Sequence, residues 1–410
     1  MVNPLQDKRI LLGVTGSIAA YKAADLASKL TQFGAQVDVI LTQAATQFVS
    51  PLTFQSVTGR RAYTDADLWG NEGHVQHINL ARNAQLMTIA PVTANTLARL
   101  AHGMADNLLT VAALAIHCPL ILAPAMDGGM YSHPATQANV ETLQARGAIV
   151  VGPAAGHLAS GLAGVGRMVE PVELLGHIRW ALAQGGRLQG RKIIVTAGGT
   201  QEPIDPVRMI TNRSSGKQGY ALAQAALDLG AEVILISAPT ALTTPVGARC
   251  VDVQTAEEML QAVLAALPQA DALVMAAAVA DFRPVQAAIH KIKKENGAPE
   301  ILLESTPDIL RAVAQAKAEH GWPRVSVGFA AESQDLIENA AAKLKNKKLD
   351  LIVANDISAS DAGFGADANR VVLLYPDGRA DALPLMSKDQ VAEIVMQRVV
   401  ELLEANQSTR

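Results

Sequence analysis

The chain has 410 residues, half of them apolar and only 3% aromatic, with a formal net charge of −4 at pH 7. This length predicts two or three domains with cores of Ala, Val, Leu and Ile. The acidic balance gives no indication of nucleic-acid binding. The longest apolar stretch, residues 111–126, is too short to span a bilayer. Two distant cysteines, Cys118 and Cys250, and an N-terminus unlike a signal peptide predict a cytoplasmic protein without disulfides.

The first half of the chain alternates short β-rich runs with longer helical patterns. The runs fall at residues 10–14, 36–42, 86–90, 120–123 and 148–151. This alternation is typical of βαβ units, so we predict an α/β fold with a parallel sheet buried on both faces. Ligands of such sheets bind at the carboxyl ends of the strands, and the polar residues there are the first candidates for a site.

Three of these strand ends carry small or hydroxyl-bearing residues. Gly16 and Ser17 follow the first strand, and residues 91–96, PVTANT, follow the third. Thr42 ends the second strand, where an NAD-binding protein would carry an acidic residue for the ribose. Hydroxyls that face one crevice favour a mononucleotide phosphate, although Ser and Thr also cap helices for stability alone.

An ordered set of motifs in this half resembles the flavin-containing cysteine decarboxylases. The resemblance covers residues 8–170 and rests on Gly16-Ser-Ile-Ala-Ala-Tyr-Lys22, His77-Ile-Asn-Leu-Ala-Arg82, Pro91-Val-Thr-Ala-Asn-Thr96, Pro124-Ala-Met126 and Gly161-Leu-Ala-Gly-Val-Gly-Arg-Met168. Within that family the chain is most similar to phosphopantothenoylcysteine decarboxylase. The resemblance implies a flavodoxin-like fold, His77 as the catalytic base, and FMN held by Gly16, Ser17, Thr42, Thr93, Ala94, Asn95, Thr96 and Ala125.

The family's chemistry explains the need for a flavin. A carboxylate beside a plain C–N carbon cannot lose CO₂, because the resulting carbanion has no electron sink. Oxidation of the neighbouring thiol to a thioaldehyde creates that sink, and the flavin is the oxidant. A histidine at the position of His77 would handle the protons near neutral pH.

Two residues at catalytic positions depart from the family's usual pattern. Asp127 stands where most relatives carry Asn, and Ser160 stands where most carry Cys. We expect a buried, protonated Asp127 to replace the asparagine as a hydrogen-bond donor. Ser160, or a water that it holds, would replace the thiol as proton source, within a glycine-rich lid at residues 152–166. The alternative is an N-terminal half that binds flavin as an oligomerisation scaffold and does not decarboxylate.

A second nucleotide-binding domain begins at Gly190. Residues 171–184 predict a closing helix and residues 185–190 a linker, which divides the chain into domains 1–189 and 190–410. Further strands are predicted at residues 192–195, 232–237, 272–277, 325–329 and 351–354. The turn Thr196-Ala-Gly-Gly-Thr200 and the helix start Ser214-Ser-Gly-Lys-Gln-Gly219 favour an anion site.

The charges in this half favour a nucleoside triphosphate. One group of lysines lies at residues 291–294, and Lys343 and Lys347 are four apart on one predicted helix face. The Walker A spacing is absent, and so is the acidic ribose-binding residue of NAD enzymes. A tandem NAD(P) reductase is therefore disfavoured. The lysine groups would neutralise a triphosphate, although such clusters are also common on solvated faces.

The motifs of the second half closely resemble bacterial phosphopantothenate–cysteine ligases over residues 190–400. They include Asp205-Pro-Val-Arg208, Ile210-Thr-Asn-Arg-Ser-Ser-Gly-Lys217, Ala277-Ala-Val-Ala-Asp281, Lys291-Ile-Lys-Lys294, Pro307-Asp-Ile309, Gly328-Phe-Ala-Ala-Glu332 and Ala354-Asn-Asp356. By this resemblance Asn212 would stabilise an acyl-cytidylate and Lys291 would be catalytic. The residues that would bind CTP are Asp281, Lys291, Pro307, Asp308, Ile309, Leu310, Phe329, Lys343 and Lys347.

Together the two resemblances imply a bifunctional enzyme of coenzyme A biosynthesis. Its ligase half would join cysteine to 4'-phosphopantothenate with CTP and Mg²⁺. The product, 4'-phosphopantothenoylcysteine, is the substrate of the decarboxylase half, which gives a functional reason for one chain. Relatives of both halves act as oligomers, which implies trimeric N-terminal and dimeric C-terminal contacts that could combine into a dodecamer. The sequence identifies no metal ligands.

Overall fold

The computed structural model describes residues 3–69, 76–158, 161, 163–293, 300–332, 335–356 and 368–408. These residues form two compact units, one of residues 3–183 and one that begins at residue 184. No helix in the described ranges is both long enough and apolar enough to cross a membrane.

The first unit contains a parallel sheet, helices on both of its faces and a separate β-hairpin. The strands of the sheet are β1 Arg9–Val14, β2 Gln36–Leu41, β3 Ala62–Thr64, β4 Leu86–Val92, β5 Leu120–Pro124 and β6 Ile149–Val150. The hairpin strands are β7 Ala154–His157 and β8 Ala163–Arg167. The helices are α1 Ala20–Gln32, α2 Pro51–Thr58, α3 Gln76–Asn83, α4 Ala94–His102, α5 Leu108–Ala115, α6 Gly128–Ser132, α7 Pro134–Ala145 and α8 Pro171–Ala183.

The strand order of this sheet is β3-β2-β1-β4-β5-β6, and every pairing in it is parallel. This doubly wound order confirms the predicted α/β fold. Chain connections leave β1 toward β2 on one side and return to β4 on the other side. The crevice at the carboxyl ends of β1 and β4 is therefore the topological switch point, where ligands of such sheets bind.

Alternating side chains of β1 enter two different cores. Ile10, Leu12 and Val14 pack with α1 and α8 on one face of the sheet, whereas Leu11 packs with α4, α5 and α7 on the other. All four side chains are at most 1% exposed. Because both faces are covered, the strand is apolar at nearly every position, which is why the sequence shows a continuous run rather than an alternation.

The second unit combines a larger sheet with three short two-stranded pieces. Its strands are β9 Lys192–Ala197, β10 Gln201–Pro203, β11 Met209–Thr211, β12 Glu232–Ser237, β13 Ala248–Asp252, β14 Ala272–Met275, β15 Phe282–Pro284, β16 Leu303–Ser305, β17 Val325–Glu332, β18 Leu351–Asp356, β19 Ala368–Asn369, β20 Val371–Leu374, β21 Ala380–Ala382 and β22 Met386–Ser387. Its helices are α9 Lys217–Asp228, α10 Ala256–Ala266, α11 Ile309–His320, α12 Leu336–Asn346 and α13 Lys388–Ser408.

The order in the larger sheet is β13-β12-β9-β14-β17-β18-β20-β21. The pairings are parallel from β13 to β18, and β20 and β21 extend the sheet with antiparallel pairings. Helices α10, α11 and α12 pack on one face, and α9 and α13 pack against each other on the opposite face. The carboxyl ends of β9, β14, β17 and β18 meet at one edge.

Two glycines bring α9 close to the end of β9. Gly216, the residue before the helix, has φ of 75°, a conformation that favours glycine. A Cβ on Gly219 would lie 2.5 Å from the Ala197 Cβ and 2.8 Å from the Thr196 carbonyl oxygen. The helix begins at Lys217, within the predicted helix start 214–219, and the two glycines fix its first turn.

We predict that Gly219→Ala lowers the thermal unfolding midpoint of the second unit. Alanine gains about 1 kcal/mol of helix propensity over glycine, but forcing a methyl group into packed strand atoms costs about 1–3 kcal/mol. Calorimetry on the full chain measures the midpoint, with Gln224→Ala on the same helix as the control. A midpoint for Gly219→Ala equal to or above that of the wild type would contradict the close approach of α9 to β9.

Candidate functional site

A buried threonine joins the two loops that border the switch point of the first unit. The Thr15 hydroxyl, 2.8 Å from the Pro91 carbonyl oxygen, donates to it and accepts a hydrogen bond of 3.1 Å from the Thr93 N–H. Thr15 is only 1% exposed. The loop after β1 and the loop after β4 are therefore held in a fixed relation, although sequence reasoning did not include Thr15 among the site residues. Its position directly after a buried strand was the available signal.

The predicted FMN residues lie on these loops and on the loops beside them. Gly16 and Ser17 follow β1, Thr42 follows β2, and Ala125 follows β5. The Ala125 N–H donates to the Val92 carbonyl oxygen at 3.1 Å, which links the ends of β5 and β4. The remaining residues, Thr93, Ala94, Asn95 and Thr96, form the start of α4. All eight therefore occur at one edge of the sheet.

Several of the hydroxyls predicted to bind phosphate also bind the chain itself. Thr93 caps α4, where its oxygen accepts from the Thr96 N–H. The Thr42 oxygen accepts a bond of 3.3 Å from the Ala45 N–H. Both interactions have the geometry of local capping, which was the alternative stated for these residues. The backbone N–H groups in the first turn of α4, where Asn95 is exposed, are the better candidates for binding an anion.

Gly16 permits a close approach between the loops after β1 and β2. A Cβ at Gly16 would lie 2.5 Å from the Ala44 Cβ and 3.1 Å from the Ala44 carbonyl carbon. The crevice thus has a backbone wall that a side chain at this position would break. This cradle, with the first turn of α4 beside it, suits the phosphate and ribityl chain of a flavin mononucleotide.

The glycine-rich segment 152–166 forms a hairpin rather than an irregular connection. Strands β7 and β8 pair antiparallel, and the Met126 N–H donates to the Gly166 carbonyl oxygen at 3.0 Å. A Cβ on Gly166 would lie 2.2 Å from the Met126 carbonyl oxygen. The hairpin therefore packs directly on the loop that carries Asp127. Ser160 lies outside the described residues.

Asp127 is half-buried at the start of α6, not buried as the sequence analysis expected. Its Oδ1 atom accepts a hydrogen bond of 2.9 Å from the Gly129 N–H, so the side chain caps the helix. An asparagine would cap equally well at this position. The substitution of Asp for Asn therefore leaves the local backbone structure undisturbed.

Lys22 fixes the end of the hairpin to α1. Its Nζ atom donates to the Met168 carbonyl oxygen at 3.0 Å and to Glu170 Oε1 at 2.7 Å. The lysine side chain is 7% exposed and that of Glu170 is 61% exposed. Because α1 begins just after Gly16 and Ser17, this buried cation couples the predicted flavin loop to the hairpin.

His77 is half-buried in the first turn of α3. Helix α3 packs against α5, and Leu80 and Ala81 are buried on it. Residues 70–75, directly before the helix, lie outside the described residues. The assignment of His77 as the base continues to rest on its motif.

The second unit contains a cleft with a cavity volume of about 860 Å³ at the carboxyl edge of its sheet. The cleft is lined by six groups of residues. They come from the α9 start, the loop after β14, the start of α11, the end of β17, α12 and the C-terminal part of the unit. The lining residues are 212, 214–219, 275–282, 305–310, 329–331, 343, 347, 355, 369 and 388.

The glycine turn after β9 supports this cleft from behind. The hydroxyls of Thr196 and Thr200, both fully buried, accept hydrogen bonds from the N–H groups of Ala277 at 3.1 Å and Ala280 at 2.9 Å. Asn212 holds the same loop from the other side, because its Nδ2 atom donates to the Val279 carbonyl oxygen at 3.0 Å. The hydroxyls of the turn therefore position the lining loop. That the turn and the start of α9 form an anion site stays a prediction.

An ion pair with Asp308 fixes one lysine of the cleft, Lys347. Asp308 begins α11, and its Oδ1 atom caps the helix by accepting from the Arg311 N–H at 3.1 Å. Its Oδ2 atom accepts a hydrogen bond from Lys347 Nζ. Lys343 Nζ donates to the Phe329 carbonyl oxygen at 3.2 Å. Lys343 and Lys347, both predicted to bind CTP, thus contact Phe329 and Asp308, which were predicted to bind the same nucleotide.

Lys291 is the predicted CTP residue that does not line the described cleft. It is exposed, beside a loop position that is firmly held: the Ile292 N–H donates to Asp205 Oδ2 at 3.1 Å. Asp205 also accepts from the N–H groups of Val207 and Arg208. Burial raises the pKa of Asp205. The backbone donors and the charge of Arg208 lower this pKa by more than burial raises it, so the net shift is downward. Lys294 lies outside the described residues.

Three polar residues on the C-terminal side of the cleft were not found from the sequence. Asn355 was quoted only within a family motif, and Asn369 and Lys388 were not considered. Lys388 is 8% exposed and Asn369 is 4% exposed. Both belong to short or terminal elements, β19 and the start of α13, whose place beside α9 depends on tertiary packing. No local pattern in the sequence predicts that Asn369 and Lys388 lie in the cleft.

Comparison with known proteins gives a consistent result for both units. A family model described as "Flavoprotein" matches residues 2–182, and one described as "DNA/pantothenate metabolism flavoprotein C-terminal domain" matches residues 188–403. The coenzyme A biosynthesis bifunctional protein CoaBC of Bacillus subtilis is 45% identical over 401 residues, 97% of this chain and 98% of that protein. That of Vibrio cholerae is 45% identical over 399 residues, 97% of this chain and 99% of its own. A crystal structure of the C-terminal domain of a CoaBC protein is 40% identical, covers 54% of this chain and all of that chain, and has a TM-score of 0.46.

We predict that Asp308→Asn destabilises the chain at neutral pH but not in acid. Burial raises the pKa of Asp308, but the hydrogen bonds from Lys347 and the Arg311 N–H, with the charges of both residues, give a net lowering. A lowered carboxyl pKa contributes stability above its unfolded value, and this contribution is lost as the pH falls through the folded value. Asparagine keeps the helix cap, so the loss at pH 7 should be about 1 kcal/mol or less.

Urea unfolding of the wild type and of Asp308→Asn, at pH values from neutral to acid, measures the difference in unfolding free energy. Asp377→Asn, which changes an exposed turn residue, is the matched control. The difference in unfolding free energy between wild type and Asp308→Asn should disappear at acid pH. A difference that is the same at every pH would show that the ion pair with Lys347 contributes nothing.

Proposed function

This chain belongs to the CoaBC family of coenzyme A biosynthesis bifunctional proteins, and we propose that its two units carry out two consecutive reactions. The unit that begins at residue 184 joins cysteine to 4'-phosphopantothenate. The unit of residues 3–183 decarboxylates the product, 4'-phosphopantothenoylcysteine, to 4'-phosphopantetheine. We assign residues 1–189 to the decarboxylase domain and residues 190–410 to the ligase domain, a division supported by the family matches at 2–182 and 188–403.

A single observation supports the ligase assignment best. Nine residues were assigned to CTP from motifs scattered over 67 positions between Asp281 and Lys347, and eight of them line one cleft. Asn212, which was assigned to the acyl-cytidylate, lines the same cleft. Motif residues that are distant in sequence and converge on one cavity are what a nucleotide-dependent ligase requires.

In the proposed ligase reaction, the carboxylate of 4'-phosphopantothenate attacks the α-phosphorus of CTP. The bond from that phosphorus to the bridging oxygen breaks, and pyrophosphate leaves. The amine of cysteine then attacks the acyl carbon of the resulting acyl-cytidylate, and CMP leaves as the amide forms. Lys343 and Lys347 would stabilise the phosphates, and Asn212 would hold the loop at residues 278–279 against the acyl group.

Mg²⁺ fits this site as a companion of the nucleotide. Among the described residues no group of three or more His, Cys, Asp or Glu side chains could hold a metal. Mg²⁺ commonly keeps several waters and binds through one or two carboxylates together with substrate phosphates. Asp281 lines the cleft and could supply such a carboxylate.

For the decarboxylase we propose that FMN binds at the switch point, where Gly16 and the first turn of α4 form the cradle described above. When bound, the flavin supplies the two-electron oxidation and re-reduction that make CO₂ loss possible. Thr15 keeps the loops of the cradle in place. His77 would move the proton of the substrate thiol, and Ser160 would return a proton at the end of the reaction.

Asp127 bears on the competing scaffold interpretation. The half-buried side chain of Asp127 caps α6 through Oδ1, and protonation of this carboxyl would restore the donor that asparagine provides. The hairpin packs on the loop that carries Asp127, as the Gly166–Met126 contact shows. These observations favour an active decarboxylase over a flavin-binding scaffold.

We further propose a cytoplasmic homo-oligomer, with trimeric contacts between decarboxylase domains and dimeric contacts between ligase domains. The cytoplasmic location is supported by Cys118 and Cys250, which are both free. Exposed apolar side chains occur in both units, among them Leu52 at 67% and Leu302 at 68% exposure. Such residues are candidates for the contacts between subunits.

Lys291→Gln is expected to lower the rate of acyl-cytidylate formation about a hundredfold or more, because the motif assigns this cation to the phosphoryl group on which charge develops. Pyrophosphate release from CTP and 4'-phosphopantothenate, with cysteine omitted, isolates this first step. Lys293→Gln, on the same loop, is the matched control. If Lys291→Gln releases pyrophosphate at nearly the wild-type rate, the catalytic assignment of Lys291 is wrong.

His77→Asn is expected to keep its flavin and to lose decarboxylation by about 10²–10⁴-fold, the usual contribution of a positioned acid or base. Visible absorbance of the purified full chain reports the flavin, and CO₂ release from 4'-phosphopantothenoylcysteine reports the activity. His102→Asn, at the exposed end of α4, is the control. If the flavin-loaded wild type releases no CO₂, the scaffold interpretation replaces the decarboxylase.

A further inference from the structure

Three charged side chains join α1 to the hairpin of the first unit. Lys22 Nζ donates to Glu170 Oε1 at 2.7 Å, and Arg167 Nη2 donates to the same oxygen at 3.2 Å. Glu170 therefore connects a helix to the last residue of β8. We call Lys22, Glu170 and Arg167 the ion chain.

The buried end of the ion chain is Lys22. Its side chain is 7% exposed, and its ammonium also donates to the Met168 carbonyl oxygen at 3.0 Å. A lysine is rarely this buried unless it is paired. The side chains of Glu170 and Arg167 are 61% and 41% exposed, so water and salt weaken the attraction between them. The strength of the ion chain therefore depends mainly on Lys22.

The exposed end of the ion chain reaches the other strand of the hairpin. A Cβ on Gly156 of β7 would lie 2.7 Å from Arg167 Nη1 and 2.8 Å from Arg167 Cδ. The arginine side chain therefore extends from β8 across β7. A residue larger than glycine at position 156 would displace it. Through Arg167 and Glu170, both strands of the hairpin are connected to Lys22.

The hairpin is also attached to the loop after β5. Besides the contact between Gly166 and Met126, a Cβ on Gly128 would lie only 3.1 Å from the Val165 carbonyl oxygen. In the strand order, β1 and β5 lie on opposite sides of β4. The hairpin is therefore held both by the helix that follows β1 and by the loop that follows β5, and β4 between them borders the crevice.

Lys22 lies in the first turn of the helix that follows the predicted flavin loop. The Ala20 N–H donates to the Ser17 carbonyl oxygen at 2.9 Å, and the Lys22 N–H donates to the Ala19 carbonyl oxygen at 3.0 Å. These overlapping bonds fix the position of Lys22 relative to Ser17. A single side chain thus relates the predicted flavin loop to the hairpin.

We propose that Lys22 is a positioning residue of the decarboxylase. It places the hairpin, and with it the loop that carries Asp127, at a fixed distance from the flavin loop. The inference rests on the proposed decarboxylase function. A residue that only stabilised the unit would affect the sheet and the hairpin alike, whereas loss of Lys22 should affect the hairpin alone.

Hydrogen exchange of the full chain, followed by mass spectrometry, tests where Lys22 acts. Lys22→Met keeps a side chain of similar length and removes the ammonium. The amides of β7 and β8 should exchange about tenfold faster or more, because charge-assisted hydrogen bonds at the base of the hairpin are lost. The amides of β4 should exchange at the wild-type rate. Lys29→Met, which breaks a surface pair with Asp25 on the same helix, is the control.

The activity test uses both proposed reactions of the same chain. Lys22→Met should keep its flavin, as visible absorbance reports, and should lose about 10- to 100-fold in kcat/KM for CO₂ release from 4'-phosphopantothenoylcysteine, because a small misplacement remote from the chemistry has an effect of this size. Pyrophosphate release by the ligase should be unchanged. Lys22→Arg, whose guanidinium can donate to both acceptors, should restore most of the activity.

Glu170→Gln decides the question if fast exchange in β4 shows that Lys22→Met does not fold. The amide removes the charge that holds both cations, so hairpin exchange should rise and decarboxylation should fall. The proposal is overturned if a folded variant leaves hairpin exchange unchanged, speeds exchange in β4 equally, or decarboxylates at the wild-type rate. If the flavin-loaded wild type itself releases no CO₂, the decarboxylase function fails and the positioning role fails with it.

Discussion

In both units the shape of the candidate site depends on a buried threonine hydroxyl, which links the ends of two neighbouring parallel strands at the switch point of the sheet. Parallel strands end at a common edge, but nothing in their ladder hydrogen bonds fixes the loops that follow them. In the first unit Thr15 ties the loop after β1 to the loop after β4. In the second unit Thr196 ties the end of β9 to the loop after β14. These two strands are neighbours in each sheet, so the same small interaction converts a sheet edge into a shaped site twice.

Most of the strands that the sequence predicted are buried on both faces, and the half-buried edge strand β6 is an exception. Residues such as Ile10 and Leu12 are apolar because helices cover them, and this leaves a continuous signal that an exposed strand lacks. Several short strands were missed, among them β7 and β8, where Gly156, Gly164 and Gly166 suggested only a glycine-rich lid. Their hairpin is stabilised by packing on Met126, a contact between distant parts of the chain that no local pattern encodes.

The residues of the candidate sites divide in the same way, into those that local motifs predict and those that depend on tertiary packing. Motifs identified Asp308, Lys343 and Lys347, and the fold brings all three to one cleft. Reasoning from chemistry alone predicted an anion site at the glycine turn 196–200 and the helix start 214–219, and the hydroxyls of that turn hold a loop of the same cleft. A hydroxyl or a glycine serves support and recognition equally well, so its residue type cannot separate them. Lys388 and Asn369 were invisible because they reach the cleft only through the packing of α13 on α9.

The double role of Asp308 has a consequence for how ionic strength acts on the nucleotide site. Its two oxygens are bound separately, one by the first turn of α11 and the other by Lys347. A phosphate that takes Lys347 therefore replaces one anion with another, and the helix keeps its cap. Salt weakens the outgoing ion pair as well as the incoming one. The affinity of the cleft for a triphosphate should consequently respond to salt less steeply than the number of lysines around it would suggest.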